Sequence, residues 1–272
     1  MPQKPFQFLP SAVPGVEAMR ADSRHAFGRH IHLQFGLGVI DKGAQKSASG
    51  RGTVESGPGD TITVNPGEVH DGTPLGDGGR AWRMLYLEPA LVAALAADVH
   101  PCRPGSLFEF RAPSMRDARL AAQVRALFGA ATRTADGPAA RLQVEECLLQ
   151  VLGRLLQPRD ARPPATAATA TIATARAMID DDPTAPWSLA QLAREAGLSR
   201  YQLVRQFGQA TGLTPHAYLL QRRLHHARRL LVGGTPVAEA AAASGFADQS
   251  HLTRLFARSF GITPGAYVRA RT

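Results

Sequence analysis

The feature that most constrains the fold of this chain is a pattern that occurs twice in its last hundred residues. In each copy a glycine lies four residues after an alanine, and a leucine and a phenylalanine follow four residues apart. The two sets are Ala193, Gly197, Leu203 and Phe207, and Ala241, Gly245, Leu252 and Phe256. The leucines of the two copies are 49 positions apart. Such a repeat indicates one supersecondary unit used twice, and the spacing inside each copy is that of a helix-turn-helix.

Each residue type in the pattern has a physical reason. The alanine is small enough for two helices to cross closely, and the glycine fits a tight turn that requires a positive φ. Ser199 and Asp248 are suited to accept hydrogen bonds from the first N–H groups of the next helix. The leucine and the phenylalanine lie one turn apart on that helix, so we expect them to face a small core.

The remaining positions of each second helix are expected to face outward and to read bases. They are Arg200, Tyr201, Gln202, Val204 and Arg205 in the first copy, and Gln249, Ser250, His251, Thr253 and Arg254 in the second. Arginine pairs with guanine and glutamine with adenine in the major groove. The alternative is an ordinary helical hairpin with a solvated face, but two copies in register favour a reader of double-stranded DNA.

The charge distribution agrees with a polyanionic partner. The chain of 272 residues has a net charge of +9. From Thr171 onward there are 12 Arg, no Lys and 6 acidic residues, a net of +6, whereas the preceding residues carry 19 basic and 16 acidic groups, a net of +3. The excess lies where the repeat lies, and release of phosphate counterions would supply much of the affinity for DNA.

The segment between the copies predicts one continuous helix from Thr214 to Val232, with Pro215 in its first turn and Gly233 and Gly234 ending it. Its length of roughly 28 Å predicts two reading helices roughly 34 Å apart, one turn of B-DNA. Four arginines lie on this helix, and they either contact phosphates or form a solvated face. They are Arg222, Arg223, Arg228 and Arg229.

The region from about 172 to 271 resembles the DNA-binding domain of the AraC/XylS family of bacterial transcription regulators. The residues that carry the resemblance are Ala193, Gly197, Leu203, Phe207, Gly212, Pro215, Tyr218, Arg223, Ala227, Leu230, Leu231, Ala241, Gly245, Phe246, Phe256, Gly261, Pro264 and Tyr267. The resemblance implies base contacts by Tyr201, Val204, Arg205, Gln249, Ser250, Thr253 and Arg254, although Val204 departs from the usual polar residue. It also implies a transcriptional activator that has RNA polymerase as a partner.

The region from Arg24 to Pro89 predicts antiparallel strands, because short alternating runs are divided by Gly and Pro. One strand is expected over 29–39, with Ile31 and its alternates on one face and His30, His32 and Gln34 on the other. Further strands are expected over 60–64 and 80–87. This region resembles the cupin-type barrel at the N-terminus of many AraC/XylS regulators, which implies a small-molecule effector. Its contacts are expected from His30, His32, Gln34, His70, Trp82 and Tyr86.

The three histidines of this set also resemble the metal triad of cupin enzymes, since three imidazoles can hold a divalent ion. The enzymes carry an acidic ligand soon after the second histidine, whereas residues 33–37 here contain none. Metal binding, effector contact and plain packing remain open for these side chains. We predict effector contact, with no metal ligand, no catalytic residue and no cofactor. The alternative function is a metal-dependent cupin enzyme fused to a DNA-binding domain.

Two helical stretches are expected between barrel and DNA-binding domain, over 116–134 and 139–157, with a turn at 136–138. The second carries two apolar stripes. One is Val144, Leu148, Val151 and Leu155, and the other is Leu142, Leu149, Leu152 and Leu156. Either one stripe packs on a partner subunit in a homodimer, or both pack within the chain. Residues 158–171, with Pro163 and Pro164, predict a linker.

The sequence therefore predicts an α+β multidomain protein: a cupin-like antiparallel β-barrel over 1–115, a helical and dimerising segment over 116–157, a linker over 158–171, and an all-α double helix-turn-helix domain over 172–272. Cys102 and Cys147 have no metal or redox spacing and are expected to be buried thiols. Without a signal peptide or membrane span, the expected place is the cytoplasm, at the nucleoid. A DNA-repair protein with a fused domain of this type is a further alternative, but neither cysteine has the activated setting that repair chemistry needs.

Overall fold

The computed structural model of the chain describes residues 5–11, 13–99, 107–133, 138–158 and 167–270. The chain divides into two compact units, residues 1–160 and 161–270. Each unit has its own buried side chains, as two domains require.

The first unit contains twelve strands and three helices in the part of the chain that the structure describes. The strands are β1 Phe6–Leu9, β2 Val16–Ser23, β3 Phe27–His30, β4 Phe35–Lys42, β5 Ala44–Ser49, β6 Gly52–Ser56, β7 Thr61–Val64, β8 His70–Leu75, β9 Arg80–Leu87, β10 Phe108–Phe110, β11 Ser114–Met115 and β12 Leu156–Pro158. The helices are α1 Pro89–Val99, α2 Ala118–Ala131 and α3 Pro138–Leu155. Sequence patterns alone did not indicate β1, β2 or α1.

The strands pair into antiparallel sheets. The largest has the order β1-β2-β9-β4-β7-β11, and a second has the order β3-β8-β5-β6. Side chains of β9 contact the second sheet: Trp82 packs edge-on against Phe27, and Tyr86 lies against His32 beyond β3. The antiparallel class is confirmed, and the strands of the described residues form two facing sheets whose pairing does not close into a continuous barrel.

The expected strand over 29–39 is two strands. β3 ends at His30, and β4 begins only at Phe35, with the chain turning between them. The alternation of buried and lining residues also fails in β4, where all residues from Phe35 to Ile40 are buried. One face of β4 belongs to a core that includes α2 and α3, while the glycines of the other face, Gly36 and Gly38, are covered by Met84. A strand covered on both faces loses the period of two that a half-exposed strand shows.

Helix α3 buries its first apolar stripe completely, because Val144, Leu148, Val151 and Leu155 are at most 1% exposed. The second stripe is divided. Leu152 and Leu156 are buried in the same unit, whereas Leu142 is 66% exposed and Leu149 is half-buried. The expected helix over 139–157 is two residues too long, since Leu156 and Gln157 pair as a strand with β10.

Most of the expected linker, residues 159–166, and the expected turn at 136–137 lie outside the described residues, as does Cys102. The expected linker over 158–171 is wrong at its two ends. Pro158 belongs to β12, and residues 167–171 already belong to a helix. The run of Ala and Thr in this segment resembles linker composition, but alanine is the strongest helix former, and the run begins α4. Cys147 is a free, partly buried thiol.

The second unit is helical throughout its described part. Its helices are α4 Ala167–Asp181, α5 Leu189–Glu195, α6 Arg200–Thr211, α7 Pro215–Val232, α8 Val237–Ala243, α9 Gln249–Phe260 and α10 Pro264–Arg269. Helices α5–α6 and α8–α9 are the two predicted helix-turn-helix pairs, and α7 is the predicted connecting helix. Thr214 caps α7 through its side chain, and Gly233 ends it. Among the helices of the described residues, none combines the length and the apolar character needed to cross a bilayer.

Candidate functional site

The turn of each helix-turn-helix has the geometry that its sequence requires. Gly197 has φ +63° and Gly245 has φ +75°, a left-handed conformation that residues with a Cβ rarely adopt. Ser199 accepts a hydrogen bond from the N–H of Gln202, and Asp248 accepts one from the N–H of His251. The alanines are buried, and the leucine and phenylalanine of each second helix are fully buried. The sequence-level description of both units is therefore confirmed.

Helix α6 turns one polar face to solvent. Tyr201 is 76% exposed, and Arg200, Val204 and Arg205 are also exposed. Tyr201, Val204 and Arg205 are spaced by three and four residues, so they share one face opposite Leu203. Gln202 is exposed too, but its side-chain oxygen accepts the N–H of Ser199 and completes a capping box. Its oxygen is therefore engaged at the helix end, a role that the sequence analysis did not consider.

Helix α9 presents the corresponding face. Gln249, Ser250 and Arg254 are exposed, and Thr253 is half-buried on the same side. His251 is half-buried and lies edge-on to Phe246, with ring centroids 5.5 Å apart. The structure thus brings most of the predicted DNA contacts of each copy onto one exposed helix face, while His251 stands at its margin.

The arginines of α7 divide between structural and exposed positions. Arg223 donates hydrogen bonds to the carbonyl oxygens of Pro183, Ala185 and Gly245 at 2.9, 3.0 and 2.7 Å. Arg222 forms an ion pair with Asp180, and Arg228 donates to the Tyr267 hydroxyl. Arg229 is exposed. A sequence pattern cannot separate these roles, because all four side chains lie on the same helix and carry the same charge.

The first unit brings three of the predicted effector contacts together. His30, at the end of β3, pairs across the sheet with His70 at the start of β8, and His32 follows β3. The ring centroids of His30 and His70 are 4.3 Å apart, and those of His32 and His70 are 5.2 Å apart. One ligand-capable nitrogen from each ring lies within 4.8 Å of the others. All three side chains are less than 10% exposed.

Backbone carbonyls define the orientation of two of these rings. His30 Nδ1 lies 2.7 Å from the Gly28 oxygen, and His70 Nδ1 lies 3.0 Å from the Glu68 oxygen. A carbonyl only accepts, so each Nδ1 carries the proton and each neutral ring keeps its lone pair on Nε2. Burial lowers the pKa of His30 to about 3 and that of His70 to about 4, so both rings are neutral at physiological pH.

The other predicted effector contacts have different surroundings. Tyr86 stacks at a tilt on His32, with centroids 4.9 Å apart. Gln34 is buried and donates to the Glu88 carboxylate at 2.8 Å. Trp82 packs edge-on against Phe6 and Phe27 and carries the Arg80 guanidinium 4.5 Å above its ring. Tyr86 therefore joins the histidine cluster, while Gln34 and Trp82 make contacts of their own.

Arg80 is a buried cation that the sequence analysis missed. It is 2% exposed and donates to the carbonyl oxygens of His25 and Gly72. Its Nε has no hydrogen-bond partner within the described part of the chain, and burial lowers its pKa to about 10. Among the described residues, no carboxylate forms an ion pair with it. The spacing in the sequence could have indicated its burial, because Arg80 lies two residues before Trp82 in one strand and so shares a face of the sheet with it.

Both units match known protein families. Residues 13–152, just over half of the chain, match the family model described as an AraC-like ligand binding domain. Residues 192–270 match a helix-turn-helix domain. The chain belongs to the AraC family. The resemblance proposed from the repeat is thereby confirmed, and the ligand-binding match covers the histidine cluster of this AraC-family chain.

Individual relatives are similar over different parts of the AraC-family chain. The virulence regulon transcriptional activator VirF of Yersinia enterocolitica is 35% identical over 79 residues, which are 29% of this chain and 29% of VirF. This chain therefore spans less than a third of that relative. The uncharacterized HTH-type transcriptional regulator YbfI of Bacillus subtilis is 24% identical over 239 residues, which are 83% of this chain and 81% of YbfI.

A solved structure shares the two-unit fold. The crystal structure of an apo variant of ToxT from Vibrio cholerae matches with a TM-score of 0.60 at 13% sequence identity, covering 96% of this chain and 99% of ToxT. At this identity the match concerns the fold alone. An AraC-family sequence with few residues in common with ToxT thus folds in the same way.

Proposed function

We propose that this protein is a sequence-specific DNA-binding transcription regulator that responds to a small molecule and activates transcription. The observation that carries the proposal is the duplicated helix-turn-helix, in which α6 and α9 turn matching polar faces to solvent while their opposite faces are fully buried. A solvent-exposed helix of this kind fits the major groove.

The residues proposed to read bases have exposed or half-buried side chains that share one face of their helix. They are Tyr201, Val204 and Arg205 on α6, and Ser250, Thr253 and Arg254 on α9, with Arg200 and Gln249 beginning the helices. Gln202 and His251 are proposed as lesser contributors. The amide oxygen of Gln202 caps α6, and the ring of His251 rests against Phe246. Arg229 is proposed to contact a phosphate, since it is exposed on α7.

The first unit is proposed to bind the effector. Its polar interior supports this proposal, because a fold that buries several histidines and an arginine has polar groups to offer a ligand, and no carboxylate among the described residues pairs with that arginine. Effector binding would change the population of DNA-binding arrangements of the chain. We propose that the response reaches RNA polymerase at the nucleoid in the cytoplasm.

A homodimer formed through α3 is part of this proposal. Leu142 and Leu149 lie two turns apart on one side of the helix, and Leu142 keeps two-thirds of its surface exposed. A second copy of the same helix would cover both side chains. Isologous pairing of this kind is the commonest form of protein dimer.

The proposal is tested with the full-length protein and a pool of random duplexes. Repeated selection is expected to enrich a defined site, and fluorescence anisotropy is expected to show binding about 10³-fold tighter to it than to a scrambled duplex at physiological salt. The logarithm of affinity should fall linearly with that of salt concentration. If no site is enriched and both duplexes bind equally, the proposed function is wrong.

The enzyme alternative makes a different prediction. A fused cupin enzyme would turn over a substrate in its first unit, whether or not DNA is present. We propose a regulator without catalysis, because residues 33–37 offer no acidic ligand and the two helix-turn-helix pairs of the second unit are suited to recognition. Genome-wide mapping of bound sites, followed by transcript measurement at the bound promoters, would distinguish an activator from a repressor.

A further inference from the structure

We infer that the first unit binds one divalent transition-metal ion through the Nε2 atoms of His30, His32 and His70. The inference goes beyond the sequence expectation that these side chains contact an organic effector without a metal. It deepens the proposed function, and only its regulatory consequence depends on that function.

The lone pairs of two rings point in the direction that a metal site needs. Because the Nδ1 atoms of His30 and His70 donate to the carbonyls of Gly28 and Glu68, the ligand-capable lone pair of each ring lies on Nε2, and that of His30 faces His32 Nε2. Metal-binding histidines commonly donate their second nitrogen in this way, which sets the tautomer and the ring orientation. Two of the three ligands thus already have the supporting contacts that a metal site requires.

The distances between the ligand atoms also fit one ion. His30 Nε2 lies 3.2 Å from His32 Nε2, and the ligand atoms of all three rings lie within 4.8 Å of one another. Two nitrogens bound to one tetrahedral ion at about 2.0–2.1 Å are roughly 3.4 Å apart. The His30 and His32 pair already has this separation, and a small rotation of the rings would bring in His70.

Burial of three imidazoles that face one another has a desolvation cost, since all three side chains are less than 10% exposed. Coordination of one cation by the three rings would offset part of that cost.

The donor set indicates the class of ion. Imidazole ligands suit zinc, copper, nickel and iron, whereas magnesium and calcium prefer oxygen. Three protein ligands leave at least one coordination position open, as in sites where an exogenous molecule binds the ion. The ion would therefore either be the signal itself or provide an anchor for an oxygen-bearing effector beside Tyr86.

The test uses tag-free full-length protein stripped with a chelator and titrated with Zn²⁺ against a chromophoric competitor. One ion per chain is expected. His30→Ala and His70→Ala should each weaken binding about 100-fold or more, judged from losses of up to about 100-fold for outer groups alone. His216→Ala is the matched control, since His216 is exposed in the other unit and should leave affinity unchanged. Equal zinc affinity in all four proteins would overturn the inference.

A second measurement covers variants that fail to fold. X-ray absorption of the zinc-loaded unmutated protein should show three imidazole nitrogens in the first coordination sphere, and fewer than three would overturn the site. Anisotropy with the selected duplex, with and without Zn²⁺, separates the two proposals. Specific DNA binding without metal binding refutes only the metal site, whereas metal binding without specific DNA binding refutes only the proposed function.

Discussion

Individual residues of the second unit show how one side-chain type serves two purposes. Arg223 and Arg254 are both arginines near a helix-turn-helix. The first spans three backbone carbonyls, and the second faces solvent on α9. Their guanidinium groups have the same chemistry, so the groups available around each one determine its role.

Substitution of these two arginines should therefore change different properties: base discrimination for Arg254 and the free energy of unfolding for Arg223. Arg254→Ala should leave the free energy of unfolding almost unchanged and reduce discrimination at one base pair by about 1–3 kcal/mol. Arg223→Ala should lower the free energy of unfolding by roughly 2–4 kcal/mol, because three carbonyls lose a charged donor. Urea denaturation and anisotropy on matched and mismatched duplexes measure both. An Arg223→Ala protein with unaltered stability and uniformly weaker DNA binding would instead favour a phosphate contact.

The turn glycines provide a matched pair. Both have positive φ, so alanine at either position should cost about 1 kcal/mol of conformational strain. A Cβ at Gly245 would also lie 2.8 Å from Arg223 Cζ, whereas one at Gly197 would meet no atom within 4 Å. Gly245→Ala should therefore destabilise the second unit more than Gly197→Ala. Equal losses in chemical denaturation would show that the Arg223 side chain moves aside at no cost.

At the scale of elements, helix α7 organises the second unit. Tyr218 and Arg222 of this helix contact Asp180 of α4, and Arg228 contacts Tyr267 of α10. The helix that a sequence pattern identified as a spacer is thus also the common packing partner of its neighbours. Both its buried apolar residues and its partly buried polar residues hold it against these neighbouring helices.

The contact between α7 and α4 predicts a pH dependence. Burial raises the pKa of the Tyr218 hydroxyl to about 12, above its ordinary value of 10.0. The folded state then favours the protonated phenol, so this contribution to stability is complete below pH 10 and is lost as pH rises through 12. Between these values the unmutated protein should lose more stability than Tyr218→Phe, which cannot ionise. Parallel unfolding curves for the two proteins across this range would contradict the prediction.

At the scale of the whole molecule, the two compact units separate the residues proposed to bind the effector or metal from those proposed to read DNA. The histidine cluster lies in residues 1–160, and both helix-turn-helix pairs lie in residues 161–270. Because the two sets of residues are different, metal binding and DNA binding can each be measured and mutated separately in the full-length protein.

Self-association is the property of the whole molecule that the α3 surface predicts. Leu142→Glu should weaken dimerisation at least about tenfold, because a charge at an apolar interface remains unpaired and desolvated. Leu107 has the same 66% exposure but lies outside α3, so Leu107→Glu is the control and should not change the association constant. Sedimentation equilibrium measures both. A monomer in the unmutated protein, or equal effects of the two substitutions, would exclude this surface.

Local patterns predicted the second unit closely because its signals are local. Capping residues, turn glycines and the spacing of Leu203 and Phe207 act within one or two helical turns. The first unit was predicted less well. Strand β4 is buried on both faces and lost its alternation, and β1 has only four residues, too few for a period to appear.

The sequence by itself determined the repeated helix-turn-helix, the connecting helix and the antiparallel class of the first unit, since each follows from interactions between near neighbours in the chain. Only the tertiary structure decided that two sheets face each other, that Arg223 clamps three carbonyls, and that the lone pairs of His30 and His70 converge. These features join residues from 22 to 55 positions apart, as from Arg223 to Gly245 or from Phe27 to Trp82. No local pattern encodes such pairings, because they depend on how the elements pack.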